Sequence, residues 1–359
     1  MEITFQHLKK EAGLQGFPII GIVKPHYFRD LKEKLTKYID EGYTFEFNKK
    51  NIEEKCDPFL TMKNCKTIIV FGLPYYKNHF KENTMARKEN LFSGKLARTA
   101  WGEDYHRVFQ RKMINLGEAL QKINPTIRYQ SYVDTGPLVD RYLASKAGLG
   151  FYGYNNLFYH DQYGSFVFYG YMLIDLEIDN PSINNPEAEI KQLHYEHLCN
   201  NCNRCIKACP GKAIEKPYRL NASRCVSGIL QKKGILSDEE KAIISDGIYG
   251  CDICQEVCPY NEDIDVSLEP AFIPTNPPAF PDLIELLGLS NREFKKIYGN
   301  NASAWRGSRV LKRNALIVLG NLGNSKAIPY ILPFTENANE ELQEAARFAV
   351  EKIKKKIAE

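Results

Sequence analysis

The chain of 359 residues has no run approaching the ~18 consecutive apolar residues that a membrane helix requires, although 43 % of its residues are hydrophobic. A membrane-spanning protein is therefore not expected. Its opening residues, MEITFQHLKKEAGLQG, contain neither an apolar signal core nor a twin-arginine pair, so the cytoplasm is the expected address. Neither sign of charge dominates. With 48 Lys and Arg against 44 Asp and Glu, the formal charge of +4 does not by itself mark a nucleic-acid binder. A charged fraction of 26 % is that of an ordinary globular protein, and the length suggests two or three domains.

What the chain does have is cysteine, concentrated in one place. Of ten cysteines, eight fall between Cys199 and Cys258. Clustered cysteines in a reducing compartment are metal ligands rather than disulfide partners. The run CNNCNRCIKACP, with Cys199, Cys202, Cys205, Cys209 and Pro210, has the spacing of bacterial ferredoxins, in which the fourth cysteine serves a second cluster. That second cluster appears in YGCDICQEVCP, where Cys251, Cys254 and Cys258 repeat the ending, and Cys225 supplies the missing ligand. The crossed rule assigns Cys199, Cys202, Cys205 and Cys258 to one [4Fe-4S] cluster and Cys209, Cys225, Cys251 and Cys254 to the other. Zinc is the alternative, but a zinc site needs only four ligands and leaves the crossed pattern unexplained. Cys56 and Cys65 lie outside the pattern and read as free thiols packed as small hydrophobes.

Three grammars divide the chain. Residues 1–180 mix strand-like runs, from Phe17, Thr67 and Ser165, with helical spacing from Asp104 to Ile123, which predicts an α/β or α+β domain. Residues 181–268 hold the cysteine cluster and few long apolar runs, so metal rather than a large core is expected to order them. The proline-rich EPAFIPTNPPAFP reads as a connector. Residues 282–359 have helical period, with apolar stripes at Leu342, Ala345, Ala346, Ala349, Val350 and Ile353 and at Val310, Leu311, Asn314, Ala315, Val318, Leu319 and Leu322. Two such helices resemble one HEAT-type repeat. From Asn291 to Arg313 there are seven basic residues against one acid, Glu293, a local field that favours an anionic partner.

Two adjacent clusters pass single electrons, and a simple carrier needs only about sixty residues of such sequence. The remaining length implies a substrate. In the first region GLGFYG spells GxGxxG at Gly148, Gly150 and Gly153, but it follows the helix-like DRYLASKAG, so Gly148 reads as a helix end rather than a dinucleotide fingerprint. Asp134, in RYQSYVDTGPLVDR, ends a strand-like alternation before a Thr-Gly-Pro turn. That is a position suited to proton transfer and equally to an Asx-turn or cap. Asp140 and Arg141 read as a solvated helix face, and RTAWGEDYHRVFQRK as an amphipathic helix with a buried aromatic side.

In order and spacing, WGEDYH, YVDTGPLVDR, AGLGFYGYNN, the two cysteine runs, LNASRCVSG and the terminal NREFKKIYG and SAWRGSRVLKRNA together resemble the epoxyqueuosine reductase family across nearly the whole chain. The resemblance implies an α+β architecture: an α/β cobalamin-binding domain, a ferredoxin-like double [4Fe-4S] module and a HEAT-like helical cap that holds tRNA. It implies reduction of epoxyqueuosine to queuosine at the tRNA wobble position, the last step of queuosine biosynthesis, with electrons from an external one-electron donor. It also implies Asp134 as proton donor and Lys55, Asp134, Asn155, Ser227 and Asp252 as cofactor-binding residues. The expected tRNA-binding residues are Arg292, Lys295, Trp305, Arg306, Arg309, Arg313 and Asn314, with Arg309 and Arg313 on one exposed helix face. Tyr154 stands where the family commonly has lysine, and Lys55 where it usually has arginine. A monomer is expected. The alternatives are a cobalamin-dependent reductive dehalogenase-like enzyme, typically exported with a twin-arginine signal, and a ferredoxin-like electron carrier.

Overall fold

A computed structural model describes residues 3–43, 51–77, 90–178, 199 and 202–358 of the chain. Four strands, β1 (Ile19–Val23), β2 (Thr67–Pro74), β3 (Tyr129–Val133) and β4 (Val167–Ile174), form one sheet in the order β1-β2-β4-β3. Every pairing in it is antiparallel, so of the two expected classes α+β holds, and the α/β domain that the resemblance implied is corrected. The misleading signal has a physical source. Helices cover both faces, β2 is buried throughout and β4 nearly so, and such strands give the continuous apolar runs usual in parallel sheets.

Successive residues of β2 point to opposite cores. Ile69 and Phe71 meet α1 (Tyr105–Ile123) through Val108, Phe109, Met113 and Leu116. Ile68 and Val70 meet Phe28, Leu31, Leu143 and the two lone cysteines. Cys56 and Cys65 are 0 % and 5 % exposed, and burial pushes both thiols up to about 11, as suits packing groups without reactivity. Helix α2 (Asp140–Lys146) ends at Gly148, whose φ of +69° is the left-handed conformation of a helix stop. The GLGFYG segment thus leaves a helix rather than opening one.

The third region is helical. After α3 (Val226–Gln231) in the cysteine region come α4 (Asn291–Tyr298), α5 (Ser308–Leu322) and α6 (Glu340–Ala358). The expected stripe of α6 is buried against Leu311, Ala315, Val318 and Leu319 of α5. Close approach requires Gly320, where an added Cβ would lie 2.7 Å from the Ala349 Cα. This core does not stop at the connector. It continues through Val226, Ile229, Leu230 and Ile248 to Leu96 and Trp101, and Lys95–Leu96 pairs in parallel with Gly247–Tyr249. The expectation that metal rather than a large core orders the cysteine region is therefore corrected for its stretch from Val226 to Ile248, which shares this apolar core. The expected boundary at 180 and 181 lies outside the described residues. No described helix is long and apolar enough to cross a membrane.

Candidate active site and cluster ligands

The fold gathers the eight cysteines into two groups that influence one another electrostatically. Cys258 faces Cys199 and Cys202, and Cys205 faces Cys258, Cys199 and Cys202. Cys251 faces Cys225 and Cys209, and Cys254 faces Cys251, Cys225 and Cys209, with Cys205 as its neighbour from the other group. Backbone amides point at the sulfurs: Tyr154 at Cys199, Ile206 at Cys205, Ser227 and Gly228 at Cys225, Ile253 at Cys251 and Tyr260 at Cys258. The Ala213 N–H donates to Cys209 Sγ at 3.3 Å, and the Tyr159 hydroxyl donates to Cys258. Soft donors in two fours, ringed by N–H groups, fit anionic iron–sulfur clusters, since hydrogen bonds to the sulfurs stabilise negative charge. Tyr154 is buried and packs edge-on against Tyr218, so its part here is played by its backbone rather than by a cation.

Asp134 follows the last residue of β3, and its φ of +53° turns the chain out of the sheet. Its own N–H is held by Asp140 Oδ2 at 2.7 Å. Asp140 thus faces inward, contrary to the expected solvated role, while Arg141 is exposed and donates to Asn156 O. The Asp134 carboxylate accepts the Tyr105 hydroxyl at 2.7 Å and stands 3.7 Å from His106 Nε2, and its side chain is 65 % exposed.

Both partners come from the start of α1, where Asp104 caps the helix by accepting the His106 N–H at 3.0 Å. The His106 ring bonds Asp104 Oδ1 through Nδ1 at 2.7 Å. Burial alone would lower the His106 pKa, but Asp104 and Asp134 outweigh it and raise the imidazole to about 9. Asp134 is correspondingly lowered, chiefly by His106, against the opposing effect of burial. Burial and the neighbouring carboxylate raise Tyr105 well above its ordinary value. The aromatic side expected for this segment is present: Tyr105 stacks on Phe168 at 4.1 Å, and Trp101 is buried. Sequence reading missed the service of Tyr105 and His106 to Asp134, and no local pattern carries it.

The other expected cofactor residues divide. Asn155 is buried, its amide bonded to Tyr159 at 2.8 Å and to the Cys254 carbonyl at 3.3 Å, which ties the GLGFYGYNN segment to a cluster-bearing turn. Ser227 adjoins Cys225 and accepts from Gln231, whose Oε1 accepts the Trp305 indole at 2.9 Å. Trp305 also reaches the hydroxyl of Tyr249, which feels the charges of Asp104 and Asp134. One face therefore runs from the Cys225 turn to Asp134. Lys55 is half-buried on the short helix Ile52–Cys56. Asp252 is 2 % exposed, and its carboxylate receives the Arg98 backbone N–H at 2.8 Å and guanidinium at 3.5 Å, with Gln255 on its other oxygen, so its side chain is engaged within the protein.

On the cap, Arg292, Lys295 and Trp305 are exposed, and Arg306 lies 3.8 Å from the Trp305 ring centre. Arg309 is half exposed, 3.4 Å from Glu341. Arg313 and Asn314 are corrected: they are 1 % and 0 % exposed. Arg313 donates to the carbonyls of Lys232 and Gly234 at 2.8 and 2.7 Å, and Asn314 donates to those of Leu230 and Ile248 at 2.8 and 2.9 Å. They lock α5 onto the cysteine region and cannot meet phosphate. A helix with neighbours on two sides buries two faces, so the i, i+4 relation to Arg309 did not imply shared exposure.

Comparison with known proteins bears on both halves of the site. Residues 198–261 match a model described as a 4Fe-4S double cluster binding domain, and residues 55–135 match one described as epoxyqueuosine reductase QueG, DUF1730. An epoxyqueuosine reductase of Lactococcus garvieae (strain Lg2) is 37 % identical over 359 residues, covering 99 % of this chain and 98 % of the relative. A crystal structure of epoxyqueuosine reductase with a tRNA-Tyr epoxyqueuosine-modified stem loop superposes with a TM-score of 0.85 at 31 % identity, covering 97 % of this chain and 90 % of the other. The Bacillus subtilis enzyme, in a form whose aspartate catalytic loop is swung out of the active site, gives a TM-score of 0.85 at 32 % identity with the same coverage. With relatives matched from end to end and the cluster module and Asp134 segment both inside matched regions, the chain belongs to the epoxyqueuosine reductase family.

Proposed function

We propose that this protein reduces epoxyqueuosine to queuosine in the anticodon loop of tRNA, taking electrons one at a time from an external carrier through its two [4Fe-4S] clusters. The observation that carries this reading is the placement of an open carboxylate, Asp134, between a tyrosine hydroxyl and a cationic imidazole on a face that leads to the Cys225 turn. Such a group serves at an oxygen that must leave carbon, because expulsion of oxygen develops negative charge that a donated proton neutralises. A bare electron carrier has no use for it.

A redox cofactor has to lie between cysteines and acid, and the face joining Ser227, Trp305, Tyr249 and Asp134 is where cobalamin would be held, with Asn155 fixing the neighbouring segment. When bound, it supplies strongly reducing cobalt suited to electrons from low-potential clusters. Ser227 and the backbone around Asn155 would contact the corrinoid periphery, Lys55 would add a cation at its edge, and Asp252 would keep the Cys251 turn in place. Asp134 delivers the proton to the epoxide oxygen, and Tyr105 orients its carboxylate.

The helical cap, HEAT-like in its α5 and α6 pair, would hold the tRNA. Arg292, Lys295 and Arg309 offer cations to phosphate, and exposed Trp305 with Arg306 over its ring offers a stacking platform for a base beside the reacting nucleotide. The test is nucleoside analysis of epoxyqueuosine-bearing tRNA incubated with the reduced, cobalamin-reconstituted protein. Queuosine is the expected product, and unchanged epoxyqueuosine with both cofactors loaded would overturn the assignment.

A further inference from the structure

Conversion of an epoxide to an alkene breaks both C–O bonds of one oxygen: epoxide, two electrons and two protons give alkene and water. The electrons come through the clusters from the one-electron donor. The oxygen leaves with two protons, yet Asp134 can carry only one at a time, and beside His106 it rests as a carboxylate at neutral pH. The donor must therefore be loaded, and loaded again. Tyr105 donates its hydroxyl to Asp134 at 2.7 Å, and burial with the neighbouring carboxylate makes it hold that proton more tightly than a free phenol.

His106 is placed differently. Asp104 clamps the ring through Nδ1 at 2.7 Å and the backbone N–H of the same residue at 3.0 Å, which fixes where the ring points. Its Nε2 is buried, makes no hydrogen bond, and stands 3.7 Å from Asp134 Oδ2. Closing that gap by about 1 Å gives a transfer contact, and catalytic hydrogen bonds are often long before substrate binds. Resting on the reading of Asp134 as the group at the reacting oxygen, we propose that His106 is the proton store of the site, loading Asp134 through Nε2 while Asp104 retains the Nδ1 proton. Nε2 itself is shut from water, so recharging between the two C–O cleavages passes through Asp134, whose side chain is 65 % exposed.

The surrounding charges keep the store full, and its discharge waits for the negative charge that develops on the leaving oxygen. Around the pair stand Arg141 on α2, Asp104 on α1, which also feels Arg107, and Tyr249 on the short strand, which also feels Arg306 of the cap. The two carboxylates nearest the ring keep it charged up to about pH 9. The store is full below that pH and empties above it, so turnover should fall through an alkaline limb near 9.

The test joins NMR titration of histidine-labelled protein, with His106 assigned by its disappearance in His106→Gln, to the pH–rate profile. Asp104→Asn keeps an N-cap acceptor but removes the charge, so the imidazole titration and the alkaline limb should move down together, by roughly 1–3 units. His106→Gln should lose ~100-fold in turnover while iron content and tRNA affinity stay at parental values, and free imidazole should restore part of the rate in His106→Ala. Titration near 6.5 that ignores Asp104→Asn, or a His106→Gln enzyme with parental rate and alkaline limb, would overturn the proposal. Parental turnover in Asp134→Asn would instead sink the role of Asp134 and leave the titration result standing.

Discussion

Asp134 and Asp252 each sit beside a cationic side chain, and the contrast between them separates a working charge from a structural one. Asp252 is sealed: Arg98 bonds it at 3.5 Å and Glu256 at 2.7 Å, and the guanidinium lies over the rings of Tyr76, Trp101 and Phe166. Burial raises the Asp252 pKa even so, and Arg98 opposes that rise through its charge and its backbone N–H. Asp134 keeps most of its surface open, and its imidazole partner is held just beyond hydrogen-bond distance. Closed pairs hold elements together, and a pair left ajar has a proton to move.

The largest expected effect breaks the sealed pair. Arg98→Ala would strand a buried carboxylate between the first region and the Cys251 turn, a loss of about 3–5 kcal/mol, visible as a lowered thermal midpoint and reduced iron content. If the midpoint stays at the parental value, the two pairs are alike after all. Asp134→Asn should do the reverse. Stability, tRNA binding and cobalamin binding should stay near parental while turnover drops by ~100-fold or more, and a parental rate under saturating reductant would reject Asp134 as the acid.

Between these lies Cys225→Ala. It removes one ligand from the group of Cys209, Cys251 and Cys254 and leaves the other four in place, so iron per chain should fall towards half. Two fully occupied clusters in this variant would refute the crossed assignment. The smallest effects sharpen the same contrast on α5. Arg309→Ala should flatten the dependence of log tRNA affinity on log salt by somewhat under about one unit, with little change in stability. Arg313→Ala should leave that slope alone and cost stability instead, because the carbonyls of Lys232, Gly234 and Leu230 and the side-chain oxygen of Asn314 lose the Arg313 donor. A lost salt slope in Arg313→Ala would return that residue to the binding surface.

Legibility followed the range of the interaction. Cysteine spacing was readable because cluster ligands within a turn sit two or three residues apart, and the α6 stripe because one buried face repeats every turn. The helix start near Asp104 and the Gly148 stop were readable for the same reason, since each is satisfied within four residues. Strand direction was not, because β2 and β4 are covered on both faces and their apolar runs carry no sign of whether the pairing is parallel or antiparallel.

By itself the sequence determined the double-cluster module, the helical C-terminal region and the family, all of which rest on local spacing or on the order of short motifs. The tertiary structure alone decided which charges are free. The sheet places the end of β3 beside the start of α1, bringing Asp134 to Tyr105 and His106, while the carbonyls of Lys232 and Gly234 close over Arg313. Exposure and pKa are set by whatever packs against a side chain from elsewhere in the chain, and no local pattern records that neighbour.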